Sequence, residues 1–111
     1  MKIIDLKQKV LKTENREYVL GYQETGSHAC YMIYGILGPN EKGRKLNPGS
    51  GHEEIILAMR GDIRIRGDCS GTLKEGMAFH IAGDNTCCLE NTGNSEAVYI
   101  IAGGHSEEGH Q

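Results

Sequence analysis

Short apolar runs separated by turn-forming residues dominate the sequence from residue 18 onward. Runs of this length, bounded by Gly, Pro, Asn or Asp, are typical of β-strands. They predict strands over 18–22, 30–37, 54–59, 62–66, 71–73, 77–81, 87–91 and 97–102. Residues 3–11 carry Ile3, Leu6 and Val10 and predict either a short helix or an edge strand. Many short strands with closely spaced turns indicate an all-β antiparallel sandwich or barrel.

The segment 54–59 is apolar on both of the faces that a strand presents. One face carries Ile55, Leu57 and Met59, and the other carries Glu54, Ile56 and Ala58. Successive side chains of a strand point to opposite faces, so both faces of this strand need cover. We expect the Glu54 face to point into the core.

Length and charge limit the possible classes of protein. The 111 residues suit one domain spanning 1–111, and the net charge is only −3. The chain has one cluster of basic residues, and we expect it to lie in a solvated loop: Lys42, Arg44 and Lys45. A nucleic-acid partner is therefore not expected, because such partners need a basic patch or stripe.

The N-terminal segment is interrupted by charges throughout and does not resemble a signal peptide. No apolar stretch approaches the length of a membrane span, so we expect no membrane partner and a cytoplasmic protein. In that compartment the four cysteines, Cys30, Cys69, Cys87 and Cys88, are expected to be reduced thiols.

Two stretches of the chain carry a pattern of glutamate, glycine and asparagine spacings. In "HEEIILAMRGDIRI", Glu54 precedes Gly61 with six residues between them, and a second stretch opens at Gly76 and closes at Asn91. From about residue 29 to 104 the chain resembles the small single-domain cupins. The resemblance implies a cupin-type antiparallel β-barrel (double-stranded β-helix, or jelly roll) over 29–104. Residues 105–111 are polar and glycine-rich and are expected to form a flexible tail.

The sequence departs from the cupin pattern at most positions that bind metal in that family. The two histidine positions of the first motif fall on Pro48 and Ser50, and the histidine of the second motif is replaced by Cys87. Glu54 alone keeps its identity. The resemblance thus implies the fold more strongly than a metal centre.

Five residues are candidates for a ligand site inside the barrel: His52, Glu54, Arg60, His80 and Cys87. His52 and Glu54 share one strand face, and Arg60 has the same parity. If the resemblance holds, Cys87 lies across the barrel, and His80 precedes a turn from which it could reach the same cavity.

Within this set, His52, Glu54 and Cys87 could bind one divalent metal, Zn²⁺ or Fe²⁺. A metal-free site is equally open. His52 could be part of a surface ion pair, and Cys87 could be a small apolar core residue or a nucleophile activated by His52 or His80. Glu54 could pair with either histidine in acid–base chemistry. His28, His105 and His110 are expected to be exposed.

The sequence leaves two functions open. The first is a small-molecule-binding cupin without catalysis. The second is a metal-dependent cupin enzyme that oxidises or isomerises a small polar metabolite through an atypical His/Glu/Cys site. Cupins of this kind often form homodimers by sheet packing, and the outer face with Ile55, Leu57 and Met59 fits that arrangement.

Overall fold

The computed structural model describes residues 1–106. Two short helices are present, α1 (Leu6–Val10) and α2 (Tyr22–Thr25). The nine strands are β1 (Glu17–Leu20), β2 (Cys30–Leu37), β3 (Arg44–Leu46), β4 (His52–Arg60), β5 (Ile63–Gly67), β6 (Gly71–Leu73), β7 (Ala78–Ala82), β8 (Cys87–Glu90) and β9 (Ala97–His105). The all-β prediction is confirmed.

The strands form two antiparallel sheets. The larger sheet has the order β1-β2-β9-β4-β7, and the smaller has the order β3-β8-β5-β6. One apolar cluster draws on both sheets, with Ile56 and Ile101 from the larger and Ile63 and Leu89 from the smaller. The core therefore lies between the two sheets. The inward face of a strand is the face whose side chains pack into this core.

The predicted parity of 54–59 is confirmed for most of β4. Glu54, Ile56 and Ala58 are buried, whereas Ile55 is 52% exposed and Met59 is 42% exposed. The ladder with β9 shifts between Ala58 and Arg60, as at a β-bulge. The extra residue reverses the alternation, so the expectation that Arg60 lies on the inward face is wrong, and Arg60 is exposed.

The structure settles the form or the ends of three predicted segments. Within residues 3–11 only Leu6–Val10 is helical, as α1, and its N-cap Asp5 accepts a hydrogen bond from the backbone of Gln8 at 3.1 Å. The strand predicted over 18–22 ends at Leu20, because Gly21 is the N-cap of α2. The flexible tail was expected from residue 105, but His105 is the last residue of β9, and residues 107–111 of that expectation lie outside the described residues.

The basic cluster at 42–45 is not a solvated loop. Arg44 begins β3, which pairs with β8, and its side chain is only 11% exposed. A strand this short carries no periodicity of its own, so the sequence pattern could not reveal it.

Candidate functional site

Polar side chains meet on the inner face of the larger sheet, at one end of β2, β9 and β4. The register places Tyr31 of β2 opposite Gly103 of β9, which is in turn opposite Glu54 of β4. At the end of β4, His52 is opposite His105. We call Tyr31, His52, Glu54 and His105 the end cluster.

Tyr31 reaches Glu54 by crossing the strand between them. Its hydroxyl donates a hydrogen bond to Oε2 of Glu54 at 2.5 Å. This path exists because residue 103 is glycine. A Cβ at Gly103 would lie 2.2 Å from Cζ of Tyr31, which is too close for both atoms.

Burial controls the protonation of this pair. Glu54 is 5% exposed, and burial raises the pKa of its carboxyl group. The hydrogen bond from Tyr31 acts in the opposite direction, and the negative charge of Glu17 adds to the rise. Burial is also the main cause that raises the pKa of the Tyr31 phenol, and its hydrogen bond to Glu54 adds to it. A carboxyl group tuned in this way can exchange a proton closer to neutral pH than an exposed one.

The two histidines lie beside this pair. The ring of His52 is 6.1 Å from that of Tyr31 and 5.3 Å from that of His105, with both contacts edge-on. Nδ1 of His52 lies 3.3 Å from the carbonyl oxygen of Ser50. The expectation that His105 is exposed is wrong, because it is partly buried against His52.

Two of the other three histidines, His28 and His110, are not part of the end cluster as the structure describes it. The side chain of His28 stacks on Tyr22, with ring centroids 4.1 Å apart. It is therefore not a member of the site. His110, which was expected to be exposed, lies beyond residue 106.

A cleft of about 620 Å³ opens at this end of the molecule. It is lined by Ser50, Gly51, His52, Glu53, Ala82, Gly83, Asp84, Asn85 and Ser106. The backbone N–H of Gly49 donates to the carbonyl of Gly83 at 3.1 Å and joins its two walls. We call it the end cleft.

A second polar network lies deeper between the sheets. The hydroxyl of Tyr99 donates a hydrogen bond to Oε2 of Glu17, and Nη1 of Arg44 donates to the Tyr99 oxygen at 2.9 Å. Nη2 of Arg44 donates to Oε2 of Glu41 at 2.7 Å and to the carbonyl of Ile36 at 3.1 Å. Sequence reasoning missed this network and Tyr31, because each tyrosine lies within an apolar run and reads as core.

Cys87 lies in the apolar core and not in the end cluster. It is 1% exposed, and its sulfur accepts the backbone N–H of Cys69 at 3.2 Å. Burial raises the pKa of its thiol, which favours the protonated form, a poor nucleophile and a poor metal ligand. The structure thus gives no support to Cys87 as an activated nucleophile.

His80 lies on the outer face of the larger sheet. It is opposite Ile55 in the ladder between β4 and β7, and its Nε2 lies 2.7 Å from Oε1 of Glu53. The expectation that it could reach the cavity is wrong, because β7 keeps regular alternation up to Ala82. Of the five predicted site residues, the structure brings together only His52 and Glu54.

The side chains present do not fit the metal centre of a typical cupin. Pro48 cannot ligate through its side chain, Ser50 is a weak donor, and Cys87 is held in the core. Within residues 1–106, no group of three or more His, Cys, Asp or Glu side chains could hold a metal ion. The predicted trio of His52, Glu54 and Cys87 is therefore not assembled.

No protein-family model and no curated protein sequence matches this chain. Solved structures do match. The protein TT1209 from Thermus thermophilus aligns with a TM-score of 0.70 at 19% identity, over 95% of this chain and 98% of that one. The Cupin_2 domain of an XRE family transcriptional regulator from Enterobacter cloacae aligns with a TM-score of 0.67 at 16% identity, over 82% and 98%.

The chain has the cupin fold. An oxalate oxidase structure, in complex with the substrate analogue glycolate, also aligns with a TM-score of 0.68 at 18% identity. The match spans 94% of this chain but 56% of the oxidase. Identities this low establish the architecture of a cupin and not its chemistry. Residues 1–106 include no helix long and apolar enough to cross a membrane.

Proposed function

We propose that this cupin binds a small polar molecule at the end cleft, through His52, Glu54 and Tyr31. The observation that carries the proposal is the end cluster itself: the buried Glu54 carboxyl accepts a hydrogen bond from Tyr31, and the Tyr31 ring contacts His52, which lines the cleft. The mouth of a β-barrel is a common place for a small ligand. The site differs from the predicted one in losing Arg60, His80 and Cys87.

The charges around the end cleft favour a ligand that donates hydrogen bonds. Glu53 and Asp84 line the cleft, and its lining within residues 1–106 contains no lysine or arginine. Carboxylates accept hydrogen bonds and attract ammonium groups, but they repel a second carboxylate. The ligand class that fits is therefore a small polyol or amine.

The same charges separate the chain from one of its structural neighbours. The oxalate oxidase was solved with glycolate, which carries a carboxylate. An anion of that kind would meet the acidic side chains of Glu53 and Asp84 here, and the cleft lining within residues 1–106 has no arginine or lysine to pair with it. A carboxylate substrate is for this reason not part of the proposal.

The alternative, a metal-dependent oxidase or isomerase, rests on the cupin fold and not on the donor set. His52 and Glu54 supply two donors, and a metal centre needs about three. Elemental analysis of untagged protein purified without chelator tests this alternative. Stoichiometric zinc or iron that disappears in Glu54→Gln would revive it, whereas content far below one ion per chain would contradict it.

A thermal-denaturation screen tests the proposed ligand class. The probes are mannitol and inositol as polyols, ethanolamine and cadaverine as amines, and oxalate and malonate as acids. We expect the melting temperature to rise with a polyol or an amine, since a ligand that binds the folded state stabilises it. The acids should give no rise.

Three variants locate the binding. Glu54→Gln and His52→Ala should each weaken binding about 10-fold or more, because each removes a polar contact from a confined site. His28→Ala is the matched control, since His28 is exposed and is not among the residues that line the cleft. A rise with acids alone, no rise with any probe, or full binding by Glu54→Gln and His52→Ala would contradict the proposal.

A further inference from the structure

Cys69 and Cys87 lie side by side where the smaller sheet ends. Cys69 follows β5 and is partly buried against the core, and Cys87 is the first residue of β8. The backbone N–H of Cys69 donates to Sγ of Cys87 at 3.2 Å. Both residues belong to the apolar core cluster, Cys87 as a buried member and Cys69 packed against it. All four cysteines of the chain are free thiols in this structure.

The backbone around the pair is fixed by several bonds. Gly67 is opposite Cys87 in the β5–β8 ladder. The N–H of Asp68 donates to the carbonyl of Thr86 at 3.0 Å, and the N–H of Thr86 donates to Oδ2 of Asp68 at 2.8 Å. These bonds hold the residues before Cys69 and Cys87 together and keep the two cysteines neighbours.

We propose that Cys69 and Cys87 are a dithiol site that a low-molecular-weight disulfide converts to an intrachain disulfide. Cys69 is the more exposed of the two, so its thiolate attacks the reagent first. One sulfur of the reagent becomes bonded to Cys69, and the other leaves as a thiol. Cys87 then loses its proton to solvent, and its thiolate displaces the attached group, which takes up a proton from solvent and leaves as a second thiol.

The reaction balances without a further oxidant. Two protein thiols are oxidised to one disulfide, and one reagent disulfide is reduced to two thiols. The proposal is independent of the ligand proposed for the end cleft. The proposed role of Cys87 is to form a disulfide, and it requires neither a bound metal nor a catalytic function of this residue.

The other two cysteines provide matched controls. Cys88 is next to Cys87 on β8, but adjacent residues of a strand face opposite sides of the sheet, so it points away from Cys69. Cys30 is exposed at the start of β2 in the larger sheet.

The experiment compares two double variants treated with oxidised glutathione. Cys30→Ser/Cys88→Ser retains the proposed pair, and Cys30→Ser/Cys87→Ser retains Cys69 with Cys88. Free thiols are counted after denaturation, peptides are mapped by mass spectrometry without reduction, and circular dichroism checks that both variants are folded before treatment.

We expect the first variant to lose both free thiols and to yield a peptide linking Cys69 to Cys87 within one chain. The second variant should carry glutathione on separate cysteines and form no intrachain link. Glutathione adducts alone on the first variant, links between chains, or an equally fast link between Cys69 and Cys88 would overturn the proposal. Failure of the reagent to react with folded protein whose thiols react once unfolded would do the same.

Discussion

At the scale of the residue, Glu54 is subject to two opposing influences. Burial makes its ionised form unfavourable and raises its pKa, whereas the hydrogen bond from Tyr31 favours the ionised form. Burial is the larger of the two, so the folded protein holds a proton on Glu54 more tightly than the unfolded chain does. The stability of the fold must therefore depend on the charge of this one group.

The first prediction concerns pH. A carboxyl whose folded pKa is raised stabilises the fold fully below its ordinary value of 4.5, and that contribution is lost as pH rises through the folded pKa. The free energy of unfolding of the wild type should fall relative to Glu54→Gln as pH rises from about 4 to about 8. Urea unfolding at a series of pH values measures the difference.

Tyr31→Phe extends this test. The variant removes the hydrogen bond that lowers the pKa of Glu54, so the fall in stability should reach higher pH than in the wild type. A difference between wild type and Glu54→Gln that grows with pH in favour of the wild type would contradict the proposed effect of burial.

Two glycines, Gly35 and Gly103, leave space for the rings of Tyr99 and Tyr31 to lie over a neighbouring strand of the larger sheet. A Cβ at Gly35 would lie 2.0 Å from Cζ of Tyr99, just as one at Gly103 would meet Tyr31. The two tyrosines differ in their freedom to move. Tyr99 is fully buried and bonded at its hydroxyl, whereas Tyr31 is partly exposed at the end of the barrel. The same added methyl group should therefore have different consequences at the two positions.

The second prediction follows from that difference. Gly35→Ala should lower the free energy of unfolding by roughly 3 kcal/mol, because the ring of Tyr99 has no space into which it can move. Gly103→Ala should cost roughly 1 kcal/mol, but it should abolish ligand binding by displacing Tyr31 from Glu54.

Gly38→Ala is the control for both glycine variants, since a Cβ there meets its nearest neighbour, Oε1 of Glu41, at an ordinary 3.7 Å. Denaturant unfolding and the ligand screen supply the two measurements. Equal stability of Gly35→Ala and Gly38→Ala would show that the Tyr99 ring can be rearranged at little cost.

At the scale of the element, β3 is short but contributes the cation of the inner network. Arg44 projects from it towards Glu41, Tyr99 and the carbonyl of Ile36, and its Nη1 lies 4.0 Å from Oε2 of Glu17. No buried side-chain nitrogen or oxygen among the described residues lacks a hydrogen-bond partner. Loss of Arg44 would break that balance, because it leaves carboxylates without a compensating charge.

The third prediction is that Arg44→Met lowers the free energy of unfolding by roughly 3 kcal/mol, the cost of removing one partner from a mostly buried ion pair. Lys45→Met is the matched control on the same strand, and Lys45 is exposed. Urea unfolding at neutral pH compares the two. A Lys45→Met effect as large as that of Arg44→Met would assign the loss to β3 as a strand and not to the network.

The strands could be predicted from the sequence because neighbouring residues determine where a strand forms and where it ends. Alternation within β4 and β5 and the turn residues between them are visible in consecutive letters, and so are the motif spacings at Glu54, Gly61 and Asn91. The end cluster could be predicted in part, since His52 and Glu54 share one strand. Their parity is set by the strand alone.

The rest of the site could not be predicted, because its cause lies in the pairing of distant strands. The hydroxyl groups of Tyr31 and Tyr99 reach carboxylates only because a glycine lies opposite each ring on the neighbouring strand. The register that pairs each tyrosine with its glycine cannot be inferred from the sequence. The inward position predicted for Arg60 is wrong because a bulge has no clear signal in "LAMRGD". Cys87 does lie on a buried strand, but the sequence could not show that Cys69 is its neighbour.

At the scale of the whole molecule, the outer face of the larger sheet carries a row of side chains across five strands. The register aligns Leu20, Met32, Ala102, Ile55 and His80. Met32 and Ile55 are both substantially exposed. Apolar side chains grouped on one face favour association more than isolated ones do. The homodimer expected from the sequence remains a prediction, and this row is the surface on which it depends.

The fourth prediction is that the chain is a dimer at micromolar concentration and that Ile55→Glu converts it to a folded monomer. A charge within the row would be unpaired in the interface. Light scattering after size-exclusion chromatography gives the mass of both proteins, with the exposed Arg64→Glu of the smaller sheet as control. A wild-type protein that is monomeric at this concentration would contradict the prediction of a dimer.

The tyrosine and glycine pairs also restrict how the chain can misfold. β2 and β9 each contribute one tyrosine and one glycine, so that Tyr31 meets Gly103 and Gly35 meets Tyr99. A slip of two residues keeps every side chain on its proper face, and hydrophobic patterning alone would tolerate it. In such a slip Tyr99 would face Ile33 or Leu37, and neither leaves room for the ring. The two glycines therefore select the native register of β2 and β9. A register shifted by two residues would keep the apolar pattern but would bring the tyrosine rings into steric conflict.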